Sequence, residues 1–448
     1  MSISGSMAEK SWLDRSLSVF TEVRAGEGVS ALLLAANGFY LLAFYSVLKI
    51  VRDALILSES GPVAASYASA GQALLMLGFV PAYSVFASRV NRVWLVCGVT
   101  LFFGSTFLLF AVIGLSGVRI GIAFYLWVGV FSMAIVAQFW AFANDLYSAD
   151  RGKRLFPILG MGANLGAFVG AAFASVVFGG FGAYSLMLLA AAGLLVPVGL
   201  TIWVSRREQR VSDDVPRGQA EQPVGGPGGF ELVRTDRYLL LIALLVLVFS
   251  LVNTLGGFML NTLITQEAAS RVPEAGPAGD LARRAVIGTM VGSVQTWVNL
   301  LAFLLQAFVV SRLFKYIGVR GALFILPLIA LGGYTAVALL PMFAVMRWTK
   351  VLENGTDYSV NNTTRHALFL PTSRAAKYKA KQAIDSFFVR AGDLLQAVVV
   401  FVGVQLALGV RGYALINLVL VFVWLAIVVA IAREHRKLVP AEAVKDAA

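Results

Sequence analysis

One cysteine, Cys97, and two histidines, His366 and His435, are all that 448 residues provide of the soft metal ligands. A lone cysteine excludes an intramolecular disulfide framework, and the three residues together fall short of a structural zinc site. Both histidines sit at the ends of apolar runs, far from any nucleophile partner, so no hydrolytic site is expected. Charge is scarce as well, at 13% of residues against about 25% in soluble globular domains. No GxxxxGK[ST] loop and no GxGxxG turn following a strand occurs, so no phosphate-binding loop is expected. The start, MSISGSMAEKSW, lacks the apolar core of a cleavable leader. No cofactor and no metal is expected, and the reading is of a protein that is not an enzyme.

What remains is apolar. Hydrophobic residues make up 59% of the chain and the mean hydropathy is +0.81. Twelve segments approach the ~20 residues needed to cross a bilayer. They lie at about 29–51, 63–87, 93–115, 120–145, 155–178, 183–204, 238–264, 286–310, 319–339, 342–361, 384–408 and 411–432. The fold class expected is an all-α membrane protein of twelve transmembrane helices in two six-helix halves. Residues 1–28 form an N-terminal segment, 29–204 the first bundle, 205–237 a linker, 238–432 the second bundle and 433–448 a tail. The linker is rich in Pro, Gly and charge, as flexible connections are.

The net charge of +12 does not point to nucleic acid, because the basic residues lie in short loops rather than on a soluble basic patch. One set of alternate loops holds Lys10, Arg15, Arg24, Arg89, Arg92, Arg151, Lys153, Arg154, Arg217, Arg320, Arg374 and Lys445 among many others. The opposite set holds only Arg119, Arg271, Arg283, Arg284 and Arg411. Positive residues stay on the cytoplasmic side, so both termini and the linker of this multi-pass protein are expected there.

Residues 342–362 stand apart. They have room for a crossing yet carry Arg347, Lys350, Glu353 and Asp357 at helical spacing on one face. One such residue at mid-bilayer costs roughly 2.5–3.5 kcal/mol, so the stripe should face protein or a wet cavity. Internal pairing of Lys350 with Glu353 is the alternative to contact with a charged solute. Lys49, Arg52 and Asp53 form a second compact face, open either to snorkelling or to binding an anion, for which arginine offers a two-pronged donor. Arg390, Asp393 and Gln396 form a third, where local Arg390–Asp393 pairing competes with solute contact or gating. The candidate substrate-binding residues are therefore Lys49, Arg52, Arg347, Lys350, Glu353 and Arg390, and the candidates for gating or proton coupling are Asp53, Asp357 and Asp393. Gln138, Asn144, Asn164, Asn253, Asn261, Gln295 and Asn299 could line a polar cavity, although interhelical hydrogen bonding is the plainer role for such residues. Gly162, Gly166 and Gly170 recur every fourth residue and read as a close helix-packing face.

Several stretches resemble the non-mitochondrial ATP/ADP translocases of obligate intracellular bacteria and plastids. They are KIVRDALILSESG at 49–61, FWAFAND at 139–145 with KRLFP at 153–157 and GAN at 162–164, and KYKAKQAID at 377–385 with RAG at 390–392. The loop SRLFKYIGVR at 311–320 resembles a cytoplasmic signature of the major facilitator superfamily. The resemblance places the family's first-segment lysine on Arg52, its fourth-segment glutamate near Val128 or Gly129, and its eleventh-segment lysine on Asp393, where the charge is reversed. It implies a divergent bacterial secondary transporter working by alternating access, with an anionic small molecule, a nucleotide favoured, as substrate. The lipid bilayer is its other partner, and the chain is expected to work as a monomer. Proton-coupled movement of another metabolite or lipid is the transport alternative, and a membrane scaffold or sensor the alternative of another class.

Overall fold

The computed structural model describes residues 12–18, 23–24, 26–87, 90–147, 149–211, 228–373 and 375–438. Lys10, Arg89, Arg217, Arg374, Lys445, most of the linker and the end of the tail lie outside them. The described residues are almost entirely helical. In chain order the helices are α1 (Trp12–Leu17), α2 (Gly28–Glu59), α3 (Gly61–Ala87), α4 (Arg92–Leu115), α5 (Gly121–Leu146), α6 (Ala149–Gly193) and α7 (Leu195–Val211). They continue with α8 (Gly229–Thr235), α9 (Arg237–Arg271), α10 (Pro277–Leu304), α11 (Val310–Ala322), α12 (Ile325–Leu339), α13 (Phe343–Thr356) and α14 (Asn362–Leu368). The last are α15 (Lys381–Ala383), α16 (Val389–Gln405) and α17 (Val410–Leu438).

Each of the twelve expected segments falls on helix, but the breaks are set by local chemistry. Segments five and six run on from α6 into α7, turning at Gly182, whose φ of 73° only glycine adopts freely. Gly318, with φ 64°, does the same between segments eight and nine. Among the described residues nine helical stretches are long and apolar enough to cross a membrane. Segments nine and ten are not among them: α12 has only 15 residues, and the helical run that begins with α13 carries Arg347, Lys350, Glu353 and Asp357. One-turn π-helical stretches interrupt the C-terminal helices at Leu305–Val309, Asp357–Asn361, Ala376–Ala380 and Ile384–Phe388. Such insertions are frequent at functional sites.

The helices divide into two compact units whose boundary differs from the chain-order halves. The first comprises Met1–Arg52, Phe79–Ile120 and Trp127–Glu221; the second comprises Asp53–Gly78, Gly121–Leu126 and Gln222–Ala448. In the first unit the glycine face of α6 lies directly on the α2 backbone. A Cβ added at Gly162, Gly166 or Gly170 would sit 2.5, 2.0 or 2.2 Å from the carbonyl oxygens of Ala35, Phe39 and Ala43. The fourfold spacing matches on both helices, which is the small-residue packing expected of this stripe. Phe103, Phe107 and Phe131 close the neighbouring core, with ring centroids 5.0–6.2 Å apart.

The second unit is built on α9. Its apolar residues run all the way round, and Val252, Leu255, Met259 and Ile264 are buried, as a central helix requires. Packing against α16 is close enough that a Cβ at Gly392 would meet Ser250 and the Leu247 carbonyl.

Candidate functional site

Three members of the charged stripe turn into the second unit. Lys350 and Glu353 are 1% and 0% exposed and Asp357 is buried with them. The Lys350 ammonium donates to Glu353 Oε2 at 2.8 Å, to Asn253 Oδ1 at 2.6 Å and to the Asn253 carbonyl at 3.0 Å. Those three bonds use all of its protons. Tyr334 from α12 donates its hydroxyl to the same Glu353 oxygen at 2.7 Å, while Glu353 Oε1 is buried without a hydrogen bond. Asn417 from α17 donates to the Val252 carbonyl at 3.1 Å. Three helices, α9, α12 and α13, thus meet at one ion pair, with Asn417 of α17 bonded beside it. Gly256 leaves the room for it, because a Cβ there would lie 2.0 Å from the Tyr334 hydroxyl and 3.2 Å from the Lys350 ammonium.

The pairing of Lys350 with Glu353, one of the two readings open from the sequence, is therefore what this structure contains. Neither side chain reaches a surface that a solute could touch. Asp357 accepts from its own helical neighbour Asn361 at 2.8 Å, inside the second π-helical turn.

Arg347 behaves differently. The structure leaves it half-buried, donating from Nη2 to Ser293 of α10 at 2.8 Å, with its guanidinium 5.4 Å from the Trp348 ring centre. Its Nε is buried without a hydrogen-bond partner. Of the stripe's two cations, it alone keeps donors uncommitted in this state.

The remaining candidates separate by unit. Arg390 pairs locally with Asp393 at 3.2 Å, and Ser250 donates to the same carboxylate at 3.3 Å. Gln396 donates to Ser66 of α3 at 3.1 Å. Lys49, Arg52 and Asp53 are half-buried along α2, at the point where the chain passes from the first unit to the second. Asn253 contacts Lys350, and Gln295 donates to Asn299 one turn on in α10 at 2.8 Å. Asn261 is half-buried. Gln138 is buried and donates to Tyr83 at 2.5 Å, whereas Asn144 and Asn164 are exposed. Tyr334, Asn417, Gly256 and Ser293 were not singled out from the sequence. A tyrosine or glycine within an apolar run carries no local signal that it serves an ion pair on another helix.

A second charged cluster lies at the start of α2 in the first unit. Arg154 forks onto both oxygens of Glu27 at 2.8 and 2.9 Å, and Arg151 bridges Glu27 and Glu208 at 3.2 Å each. Asp14 of α1 accepts from the backbone of Gly26 and Gly28, tying the preceding segment to the helix. Burial by itself would raise the Glu27 pKa. The Arg154 bonds, the Arg24 backbone N–H and the charge of Arg151 outweigh it and hold the carboxyl below its ordinary value.

No protein-family profile matches the chain. It is 23% identical over 357 residues to ADP,ATP carrier protein 2 of Chlamydia pneumoniae, a match covering 68% of this chain and 64% of that carrier. The chain thus spans a little under two thirds of that relative's length.

Solved structures share the fold at low identity. A POT family transporter in complex with a thioalcohol-conjugated peptide superposes with a TM-score of 0.64 at 13% identity, covering 94% of this chain and 98% of that one. The nucleoside transporter NupG gives 0.59 at 13%, covering 90% and 98%. A bacterial homologue of the human lysosomal transporter Spinster, inward-facing and unoccupied, gives 0.56 at 15%, covering 92% and 98%. The architecture is the all-α one expected from the twelve apolar segments and is major-facilitator-like, as the loop at 311–320 suggested; the proteins it resembles are carriers and transporters, not enzymes.

Proposed function

We propose that this chain, a multi-pass membrane protein with a major-facilitator-like fold and a divergent relative of the ATP/ADP carriers, is a secondary transporter of an anionic solute, with nucleotides favoured. The observation that carries the reading is Arg347. It is a permanently charged, half-buried group in a largely apolar chain, with donor capacity left over once its bond to Ser293 is made. An isolated ion of this kind is expensive to retain unless it meets a partner of opposite charge, and its planar fork suits carboxylate or phosphate oxygens. The motif resemblance and the Chlamydia carrier, whose name specifies ADP and ATP, favour a nucleotide over other anions.

In this proposal Arg347 makes the principal anion contact, with Lys49, Arg52 and Arg390 as further cations along the path. Lys350 and Glu353 hold α9, α12 and α13 together in the state described here, and contribute to binding only if that pair opens during the cycle. Asp53, Asp357 and Asp393 are the carboxylates available for gating or proton coupling. Transport proceeds by alternating access, in a bacterial inner membrane with both termini and the linker on the cytoplasmic side, and the working form is a monomer. Counterflow of labelled nucleotide into proteoliposomes preloaded with unlabelled nucleotide is the test; absence of counterflow for every nucleotide tried removes the exchange reading.

A further inference from the structure

We infer that Glu59, Ser58 and Arg284 form the fastening that closes the extracytoplasmic end of the transport path, with the Glu59 carboxylate as its organising group. This rests on the alternating-access reading and the membrane orientation proposed above. The stretch Asp53–Gly78, which is the last turns of α2 and most of α3, belongs to the same compact unit as the C-terminal helices, as does Gly121–Leu126 at the start of α5. Residues far apart in sequence are held there by one carboxylate. Glu59 Oε1 accepts from Arg284 Nη2 of α10 at 3.2 Å, and Oε2 accepts from the backbone N–H of Gly121 at 2.7 Å. The same arginine donates from Nε to Ser58 at 3.0 Å.

Glu59 therefore closes the C-terminal end of α2, sits at the positive N-terminal end of α5 and neutralises a cation of α10. Its side chain is only 4% exposed. Gly121 permits the approach: a Cβ there would fall 2.9 Å from Glu59 Oε2 and 3.0 Å from the Ile56 Cα. A neutral contact, Gln396 to Ser66, joins α3 to α16 in the same unit.

Arg284 differs from Arg271, Arg283 and Arg411, which are assigned to the same side, in pairing with a carboxylate of a distant helix. Arg271 pairs with Glu267 and Arg283 with Asp280 within single helices, while Arg411 bonds carbonyls at the end of α12. Arg284 reaches a residue 225 positions away in sequence. Both ions regain hydration when such a pair parts into water, which offsets part of the cost of opening it. That makes it a reversible fastening.

The test uses the full-length protein with Cys97→Ala and a reporter, Ala65→Cys, at a buried position of α3 in this unit. It is reconstituted in sealed right-side-out vesicles and labelled with a membrane-impermeant maleimide. Arg284→Gln and Glu59→Gln should each raise labelling from outside on the order of tenfold, within the usual range for coupled conformational equilibria. Ser58→Ala, which removes one neutral bond, should give a smaller rise, and Glu267→Gln none.

Labelling of Arg284→Gln and Glu59→Gln at the parent's rate would overturn the assignment. So would a rise seen only with reagent inside the vesicles, or an equal rise at a reporter placed at Ala111→Cys, buried in the other unit. The readout needs no substrate. Failure of counterflow with the expected labelling would sink the nucleotide reading and leave the fastening, and the converse result would do the reverse.

Discussion

Breaking the Lys350–Glu353 pair one side at a time should be far more damaging than removing it whole. Lys350→Met leaves Glu353, 0% exposed, with only the Tyr334 hydroxyl on Oε2 and nothing on Oε1. Glu353→Leu leaves Lys350 with the two acceptors of Asn253 and no counter-charge. Each single change strands a desolvated ion, at a cost of about 3–5 kcal/mol. The double variant Lys350→Met/Glu353→Leu strands none and fills similar volume, so it should lie between neutral and a few kcal/mol more stable than the parent. In that variant Tyr334 keeps the Val252 carbonyl at 3.4 Å as an acceptor.

The assay is a double-mutant cycle on thermal inactivation of detergent-purified protein, comparing half-lives at a fixed temperature because unfolding of membrane proteins is often irreversible. Rescue of both single variants by the double is the expected pattern. Losses that simply add would mean the two groups do not act on each other. The reasoning from a sealed ion pair would then be wrong.

Two further predictions concern the first unit. Gly166→Ala should abolish monodisperse protein on size-exclusion chromatography, since its Cβ would sit 2.0 Å from a backbone oxygen that cannot rotate away; Gly160→Ala, with open space around it, should be neutral. For Glu27 the folded-state pKa is depressed from 4.5. Its stabilisation is therefore complete above that value and is lost as pH falls through the lower folded value. Melting temperatures of the parent and Glu27→Gln should accordingly differ near neutral pH and converge well below pH 4.5; a constant gap across that range would contradict the assignment.

Much of this architecture was legible because the bilayer forces a simple code. Backbone groups in hydrocarbon must be satisfied within a helix, so runs of apolar residues mark the twelve segments, and the fourfold glycine spacing marks a close-packing face whose partner, α2, only the fold supplies. Pairs three residues apart on one helix were also visible, as with Lys350–Glu353 and Arg390–Asp393.

What stayed hidden depends on rotation and on partners. Arg347 shares a helical face with Lys350 to within the resolution of a sequence pattern, yet it turns toward Ser293 of α10 while Lys350 turns toward Asn253 of α9. Glu59 and Arg284 lie 225 residues apart, and nothing in the local pattern of either marks the other as its partner. The division of α2 between Arg52 and Asp53 has no local sign at all, because an unbroken helix of 32 residues gives no hint of where its packing partners change.

The central claim, that Arg347 meets an anionic solute during transport, is tested most directly by nucleotide counterflow in proteoliposomes containing either the parent or Arg347→Gln. Loss of a charge-assisted contact worth about 1.5–3 kcal/mol predicts that the substrate concentration for half-maximal counterflow rises roughly 10- to 100-fold, with the protein still folded. Counterflow at the parent's concentration dependence in Arg347→Gln would contradict it.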